Sequence, residues 1–315
     1  MTTVQVPATL EEATFDALIE EVARVGDDGA VLDARRLRWV DPFGMVGLLA
    51  VGAVVGRKGK RPHLILPETG DVISYLGRME FFEHAASIFD LHGGVGRHNG
   101  EAWSDVLLEI TPVRSHDDVH AVVDRVHARA SLILSRQLDY PLREAFQFSV
   151  ILSEVCQNII EHSGAGGWVA TQTYNWARRL GRKVVVIAVM DLGLGFRGSL
   201  ASTHAARFGD RWSDATALQA AFFEGVTRFH DPGRGQGLQQ IRRLVGRWGG
   251  RVSIRSGTAR IADVPDWDDS PALEENLPAF PGAQICITLP ARTNDAGGAM
   301  QNRAGESVTD RAEAI

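Results

Sequence analysis

The sequence predicts two domains: an N-terminal α/β domain, and an α+β sandwich in which helices cover one face of a mixed sheet. The length of 315 residues suggests about two domains. Strand-like and helix-like periods alternate along residues 1–92, whereas they are grouped in blocks along 106–292, which favours an α+β sandwich there. Residues 93–105 are rich in glycine and polar side chains and are interpreted as the linker.

The first domain is expected to place helices between strands at about 2–6, 30–34 and 63–66. LEEATFDALIEEVARVG has apolar residues at helical spacing and ends at Gly26, a natural C-cap. The apolar run FGMVGLLAVGAVVG follows Asp41 and Pro42, is shorter than a bilayer span, and is predicted to be a buried helix. A third helix is expected over DVISYLGRMEFF.

The second domain is predicted to contain five strands, which are DVLLEITPV, GWVATQTYNW, RKVVVIAVMD, RVSIRSG and AQICITLP. Its predicted helices are SHDDVHAVVDRVHARASLILSRQL, PLREAFQFSVILSEVCQNIIEHS and GLQQIRRLVGRWGG. The segment 196–236 is polar and glycine-bearing and is expected to be only partly helical. Residues 293–315 lack periodicity and large apolar side chains, which predicts a disordered tail.

Charge, cysteine content and the N-terminal sequence argue against several classes of protein. The formal net charge of -6 argues against a bulk nucleic-acid binder, so no direct nucleic-acid partner is expected. Cys156 and Cys286 are far apart and outside any metal-ligand spacing, so neither a disulfide scaffold nor a zinc site is expected. The N-terminus has no basic region followed by an apolar run, as a signal peptide would. We therefore expect a cytoplasmic protein with no membrane partner.

A polar stripe interrupts an otherwise apolar helix at SEVCQNIIEHS. Glu154, Asn158 and His162 recur every four residues, which places their side chains on one helix face. A solvated face is the ordinary explanation of such a stripe. Asparagine, however, is a poor helix former, because its amide competes for backbone hydrogen bonds. A functional interpretation of the stripe therefore depends on support from other segments.

The first supporting segment is DLGLG, which follows the strand VVVIAVM and puts Asp191 at the strand end, before Gly193 and Gly195. Glycines there let the backbone approach a planar ligand closely, while Asp191 can accept a hydrogen bond from an exocyclic amine. A simple β-turn is the alternative explanation.

The second segment is DPGRGQGLQQ, with Gly233, Gly235 and Gly237 directly before a helix. Free backbone N–H groups at a helix N-terminus form an anion cradle, where phosphates commonly bind. No Gly-Lys-Ser/Thr follows and no strand leads into it, so it is neither a Walker loop nor a dinucleotide fingerprint. The order of the pieces indicates a nucleotide site assembled from separate segments.

Residues 106–290 resemble the ATP-binding domain shared by gyrase, MutL and the histidine kinases (the GHKL family), and most of all the anti-sigma-factor serine kinases. LSEVCQNIIEHS is similar to the N box of that family. The resemblance implies that Asn158 binds Mg²⁺ and that Glu154 is the general base. His162 is placed either at the site or at the end of its helix, where cations are favoured.

The remaining motifs extend the resemblance. DLGLGF resembles the first glycine box, which implies that Asp191 binds the adenine amine beside Gly193 and Gly195. GRGQGLQQIRRLV, preceded by Gly233, resembles the second, which implies phosphate contacts from the backbone of Gly235, Gly237 and Leu238. PGAQICITLP resembles the closing strand, although Gly282-Ala283 stands where the family usually has Gly-Thr. The lid segment, 196–232, is also long.

The N-terminal domain resembles the STAS fold of anti-sigma-factor antagonists through VLDARRLRWVDPFGMVGLLAVGAVVGRKG. That family carries a phosphorylated serine just before the glycine of its turn. Here Asp41 and Gly44 are kept, but Pro42 and Phe43 occupy the acceptor position, and neither can take a phosphate. We therefore expect a docking or regulatory module that makes contacts around Asp41 to Met45.

Together the resemblances imply a regulator that uses ATP and Mg²⁺. Its expected activity is that of a serine/threonine protein kinase in a partner-switching pathway, and its expected protein partner is a STAS-type antagonist or a sigma-factor-like regulator. A non-catalytic, ATP-dependent interaction module and a simple ATPase are the alternatives. The resemblance also allows a homodimer.

Overall fold

The computed structural model describes residues 1–94, 108–163, 165–176, 180–227 and 236–292. It shows a mixed α/β protein with a parallel sheet in residues 1–94, called the N-terminal unit, and a large antiparallel sheet in 108–292, called the second unit. The expected linker falls almost entirely, and the expected tail entirely, outside the described residues.

The N-terminal unit carries its four main strands in the order β1-β3-β5-β6, all parallel, while β2 and β4 form a separate parallel pair. Its elements are β1 (Thr2–Gln5), β2 (Thr9–Leu10), α1 (Glu12–Ala23), β3 (Ala30–Asp33), β4 (Trp39–Val40), α2 (Pro42–Gly56), β5 (His63–Ile65), α3 (Gly70–Arg78), α4 (Phe81–Ile88) and β6 (Asp90–His92). The single helix expected over DVISYLGRMEFF is two helices, because Glu80 adopts a left-handed conformation (φ 59°) between them.

The second unit follows the expected element order and adds two short strands. Its elements are β7 (Leu108–Val113), α5 (His116–Gln137), α6 (Leu142–Ser163), β8 (Gly167–Trp176), β9 (Arg182–Asp191), α7 (Gly195–Phe208), a 3₁₀ turn (Gly209–Arg211), α8 (Asp214–Gln219), a π-helical turn (Ala220–Glu224), α9 (Gln236–Arg247), β10 (Arg251–Gly257), β11 (Ala259–Asp263), β12 (Leu273–Glu274) and β13 (Phe280–Pro290).

The seven-stranded sheet corrects one prediction. Its order is β12-β11-β10-β13-β9-β8-β7, and each neighbouring pair is antiparallel, so the expectation of a mixed sheet is wrong. The connection between β7 and β8 explains why this pair is antiparallel. The packed helices α5 and α6 form a hairpin that returns the chain to the end of the sheet where β7 stopped, so β8 runs back against it. A single crossover helix would have produced a parallel pair.

The segment 196–236, which was expected to be only partly helical, carries α7, α8 and the two short turns in its described part. Asp214 anchors it, since one carboxylate oxygen accepts hydrogen bonds from the backbone N and from Oγ1 of Thr258, both at 2.9 Å. The long lid expected here is therefore held against the turn between β10 and β11.

The large sheet is buried on both faces. In β9, Val185, Ile187 and Val189 face the core under helices α5, α6 and α9, while the alternate residues Ala188 and Met190 join the core of the N-terminal unit. A nearly continuous apolar run such as VVVIAVM is typical of a strand covered on both sides. The N-terminal unit thus covers the sheet face opposite the helices.

Helix α2 makes many of the contacts between the N-terminal unit and the large sheet. It starts after Asp41, whose Oδ1 caps it by accepting a hydrogen bond from the N–H of Gly44 at 2.7 Å. Its side chains are buried nearly all round, because it packs on the rest of its own unit and also on β8 and β9. The docking surface expected around Asp41 to Met45 therefore belongs to a helix that packs against the second unit of the same chain.

A buried ionic cluster completes the contact between the units. Arg255 on β10 is 1% exposed and donates from Nε to Oδ1 of Asp16 on α1 at 2.7 Å. Arg251 is held by Glu12, which also accepts from Ser253, and Arg260 on β11 reaches Asp16. The alternation of residue types along RVSIRSG would by itself place its polar side in solvent. In the structure, this polar side is buried against carboxylates of α1.

Replacing Asp41 by asparagine is expected to reduce the pH dependence of stability. Burial raises the pKa of Asp41 to about 8, with further raising by Glu11 and Glu12, whereas an unfolded aspartate titrates near 4. The contribution of protonated Asp41 to the free energy of unfolding is therefore fully present below about pH 4. It is lost as the pH rises to about 8, at up to about 1.4 kcal/mol per pH unit. Asparagine can still cap α2, but its side chain has no proton that titrates in this pH range.

Urea denaturation between pH 5 and pH 8.5 measures this effect. The free energy of unfolding of wild type should fall more steeply with pH than that of Asp41→Asn. Asp27→Asn, at an exposed position, serves as the control and should follow wild type. Equal slopes for wild type and Asp41→Asn would contradict the buried, protonated state of Asp41.

Candidate functional site

Asp191 lies at the end of β9 and is fixed by backbone from two other segments. Its Oδ1 accepts from the N–H of Gly193 at 2.8 Å, and its Oδ2 accepts from the N–H of Ala283 at 3.2 Å. Burial raises the pKa of Asp191 to about 7, and the two backbone hydrogen bonds oppose that rise. Each oxygen keeps a further lone pair, with which a carboxylate can accept from a ligand amine.

Gly282 must be glycine for this arrangement to exist. Its φ is 77°, and a Cβ there would clash with the backbone oxygen of Asp191. The chain before Ala283 can therefore pass directly over the strand end. The same pair was singled out in the sequence as Gly-Ala in place of Gly-Thr.

Ser256 joins the first glycine cluster to β13, and sequence reasoning missed it. Its hydroxyl accepts from the N–H of Phe196 at 3.1 Å and donates to the carbonyl of Gly282 at 2.8 Å. A Cβ on Gly195 would lie 2.5 Å from this hydroxyl. One signal was available: Ser256 lies on the side of β10 where Val252 and Ile254 enter the core, so a polar residue there was unusual.

Glu154 meets the second glycine cluster. A Cβ on Gly237, in the first turn of α9, would lie 3.2 Å from Cδ of Glu154 and 3.4 Å from each of its oxygens. The N-terminal turn of a helix has unpaired N–H groups and a partial positive charge, which favours a nearby carboxylate or another anion. The glycine thus leaves room for the carboxylate beside this turn, and a larger residue would fill that space.

The helices at the two glycine clusters both contact α6. Helix α6, which carries Glu154, contacts α9 and also α7, the helix that starts at Gly195. The π-helical turn before α9 is tied to it as well, since Gln239 and Arg242 donate to the carbonyls of Phe223 at 2.8 Å and Phe222 at 3.0 Å. Elements from four parts of the sequence thus surround one region.

The remaining predicted residues divide into two sets. Leu238 is described and packs, partly buried, on the core under the helices. Gly233 and Gly235 lie outside the described residues, as do the side chains of Asn158 and His162, although the backbone of α6 spans both. Within the described part of the chain, no cluster of three or more His, Cys, Asp or Glu side chains could hold a metal ion.

Compared with protein-family models, with curated proteins and with solved structures, the chain has no match. Among the helices in the described ranges, none is both long and apolar enough to cross a membrane. Function must therefore be inferred from the residues and their contacts.

Proposed function

We propose that the second unit is a GHKL-type domain that binds Mg-ATP and transfers the γ-phosphoryl group to a serine or threonine of a separate protein, in the manner of the anti-sigma-factor serine kinases. The proposed partner is a STAS-type antagonist or a sigma-factor-like regulator in a cytoplasmic partner-switching pathway. The observation that carries the proposal is the placement of Glu154 against Gly237 at the start of α9. A general base and a phosphate cradle would need that proximity.

Asp191 supports the nucleotide part of the proposal. Its carboxylate is oriented by backbone donors from Gly193 and Ala283, so that an adenine amine could be recognised without a further side chain to hold Asp191 in place. Gly195 and Gly282 keep the surrounding backbone close, as a planar ligand requires. Alanine at position 283 offers no hydroxyl for a water-mediated contact to the base.

The proposal gives each of these residues a role. Glu154 would accept the proton of the attacking hydroxyl, and backbone N–H groups of Gly235, Gly237 and Leu238 would hold the phosphates. Asn158 would supply a hard oxygen ligand of the kind Mg²⁺ prefers. Bound Mg-ATP supplies the transferable phosphoryl group, and positioning and electrostatic stabilisation are the main tasks of the protein in such a transfer.

Two other functions use the same site. In a non-catalytic module, ATP would only shift a conformational equilibrium, and in a simple ATPase, Glu154 would activate water. The carboxylate beside Gly237 favours catalysis over binding alone. Incubation with labelled ATP, with and without STAS-type proteins, separates the three: label on the partner indicates a kinase, free phosphate an ATPase, and neither product a binding module.

Asn158→Ala is expected to abolish magnesium-dependent nucleotide binding, because the amide oxygen is the only metal ligand proposed from the N box. Calorimetry with ATP, in the presence and absence of Mg²⁺, measures the effect. Asn175→Ala, at an exposed position of β8, is the matched control and should bind as wild type does. Unchanged affinity in Asn158→Ala would contradict the assignment.

No phosphate is expected on residues 1–90 after incubation with ATP. The acceptor position is occupied by Pro42 and Phe43, both of which are buried on α2. Other hydroxyls of the N-terminal unit lie on other elements, and a small displacement from in-line geometry removes most of the advantage of proximity. Phosphopeptide mass spectrometry tests this, and a phosphate on any residue of this range would contradict it.

A further inference from the structure

A cavity of about 240 Å³ lies between the two units, on the sheet face opposite Glu154. Its floor is the large sheet, at Val186 and Cys286 among others, and the start of α1 and Asp41 border it from the N-terminal unit. The loop between β11 and β12 closes one side with Trp267 and Asp268. Any ligand in this cavity would contact both units at once.

The charged groups around the cavity leave a negative surplus. Arg251 is paired with Glu12 and with Asp268, and Arg260 is paired with Glu12 and, at 2.6 Å, with Glu274. The nearby third guanidinium, of Arg255, and the fourth carboxylate, of Asp16, complete the cluster, so three cations face four carboxylates. This leaves one negative charge before Glu11, which also lines the cavity, is counted.

An anion entering the cavity would therefore meet guanidinium groups that already have carboxylate partners, and it would lie close to further carboxylates. A cation would be attracted by the surplus carboxylates, and its positive charge would offset the negative charge of the buried cluster. Electrostatic interactions in such a partly buried place are stronger than at the surface, because solvent screens them less. The charge balance favours a cationic ligand.

Two indole rings line the same cavity. The ring centroids of Trp176 and Trp267 are 6.0 Å apart and their planes meet at 78°, which is an edge-to-face contact between two rings that both line the cavity. The face of an indole attracts cations, and aromatic side chains commonly recognise ammonium groups in this way. The described residues offer no ready cluster of side-chain ligands for a metal ion, which favours an organic cation over an inorganic one.

We propose that this cavity binds a small organic cation with an ammonium group, and that the bound cation holds the N-terminal unit to the large sheet. The acidic start of α1 provides one side of the site, and Trp176 and Trp267 provide the other. The site is separate from the proposed nucleotide site, which lies on the helix side of the sheet. A ligand here would stabilise the association of the two units.

Calorimetry and thermal denaturation of the full chain test the proposal. The probes are choline, tetramethylammonium and putrescine chlorides, with sodium chloride at equal ionic strength as the reference and sodium acetate as the anionic probe. We expect saturable binding and a raised Tm for at least one ammonium probe, and neither effect with acetate. Absence of saturable ammonium binding, or acetate binding of equal strength, would overturn the proposal.

Two variants locate the site. Trp267→Leu should weaken ammonium binding at least about tenfold, which corresponds to about 1.4 kcal/mol. Trp212→Leu is the matched control, because Trp212 packs on Phe208 away from the cavity and should leave ammonium affinity as in wild type. Glu11→Gln removes the charge of a lining carboxylate and nearly keeps the shape of the side chain, so it should also weaken binding and is the decisive variant if Trp267→Leu does not fold. Wild-type ammonium affinity in a folded Trp267→Leu or in Glu11→Gln would exclude this cavity. ATP binding by the same proteins is measured in parallel. A failure of ammonium binding can then be distinguished from a failure of the proposed kinase function.

Discussion

Arg255→Ala is expected to lower the free energy of unfolding by about 3–5 kcal/mol, because its loss leaves only Arg251 and Arg260 to compensate the four carboxylates of the buried cluster. The side chain is 1% exposed and donates from Nε to Asp16 at 2.7 Å. Its Nη1 also donates to the carbonyl of Gly257 at 3.2 Å and to Oε1 of Gln284 at 3.4 Å. Alanine removes all of these hydrogen bonds and leaves a cavity at the contact between the units.

Chemical denaturation monitored by circular dichroism measures the loss. Arg24→Ala is the matched control, since Arg24 pairs with Glu20 at 3.2 Å and Glu21 at 3.1 Å but is 65% exposed. Exposed pairs contribute little, so this variant should lose less than about 1 kcal/mol. A loss in Arg255→Ala as small as that in Arg24→Ala would show that the ionic cluster does not hold the units together.

Glu154→Gln is expected to lower the rate of phosphoryl transfer or ATP hydrolysis by about a hundred- to ten-thousand-fold while nucleotide affinity is retained. This is the usual contribution of a general base. Glutamine has nearly the shape of glutamate, so the contact with Gly237 and the start of α9 should persist. Its amide cannot accept the proton of an attacking hydroxyl.

Single-turnover kinetics with labelled ATP, together with calorimetry, separate the two effects. Glu144→Gln is the matched control on the same helix, because Glu144 pairs with Arg292 at 3.4 Å near the other end of α6. It should turn over as wild type does. An unchanged rate in Glu154→Gln would remove Glu154 from the catalytic role. A wild type without any turnover would favour the non-catalytic module instead.

Several elements were predictable from local sequence because the type and spacing of their own residues define them. Strands β8, β9 and β10 match the expected segments GWVATQTYNW, RKVVVIAVMD and RVSIRSG. Helix α2 starts where Asp41 and Pro42 predict, since aspartate is a preferred N-cap and proline suits the first turn. Strand direction was not predictable, because it depends on how connecting helices pack, and the expected mixed sheet was wrong.

The candidate site was predictable in part. Glycines followed by a helix, and a carboxylate at a strand end, are local patterns, and they singled out Asp191, Gly195 and Gly237. Ser256 was missed because its role depends on Gly282, which is 26 positions away in the sequence. The proximity of Glu154 and Gly237 was expected from the order of the segments and from the resemblance, since no local pattern relates two separate helices.

The sequence by itself determined most strands and helices of the second unit and that α2 is buried, because these properties depend on the period and type of neighbouring side chains. It did not determine every element: α1 ends at Ala23 with Arg24 as its C-cap, before the expected Gly26, and β11 and β12 were not expected. Only the tertiary structure decided that the N-terminal unit covers the large sheet and that arginines of β10 and β11 are neutralised there. Arg255 and Asp16 are 239 positions apart. An alternating strand with arginine on one side is compatible with solvent as well as with a buried counter-charge, and only the position of the second partner in space distinguishes the two.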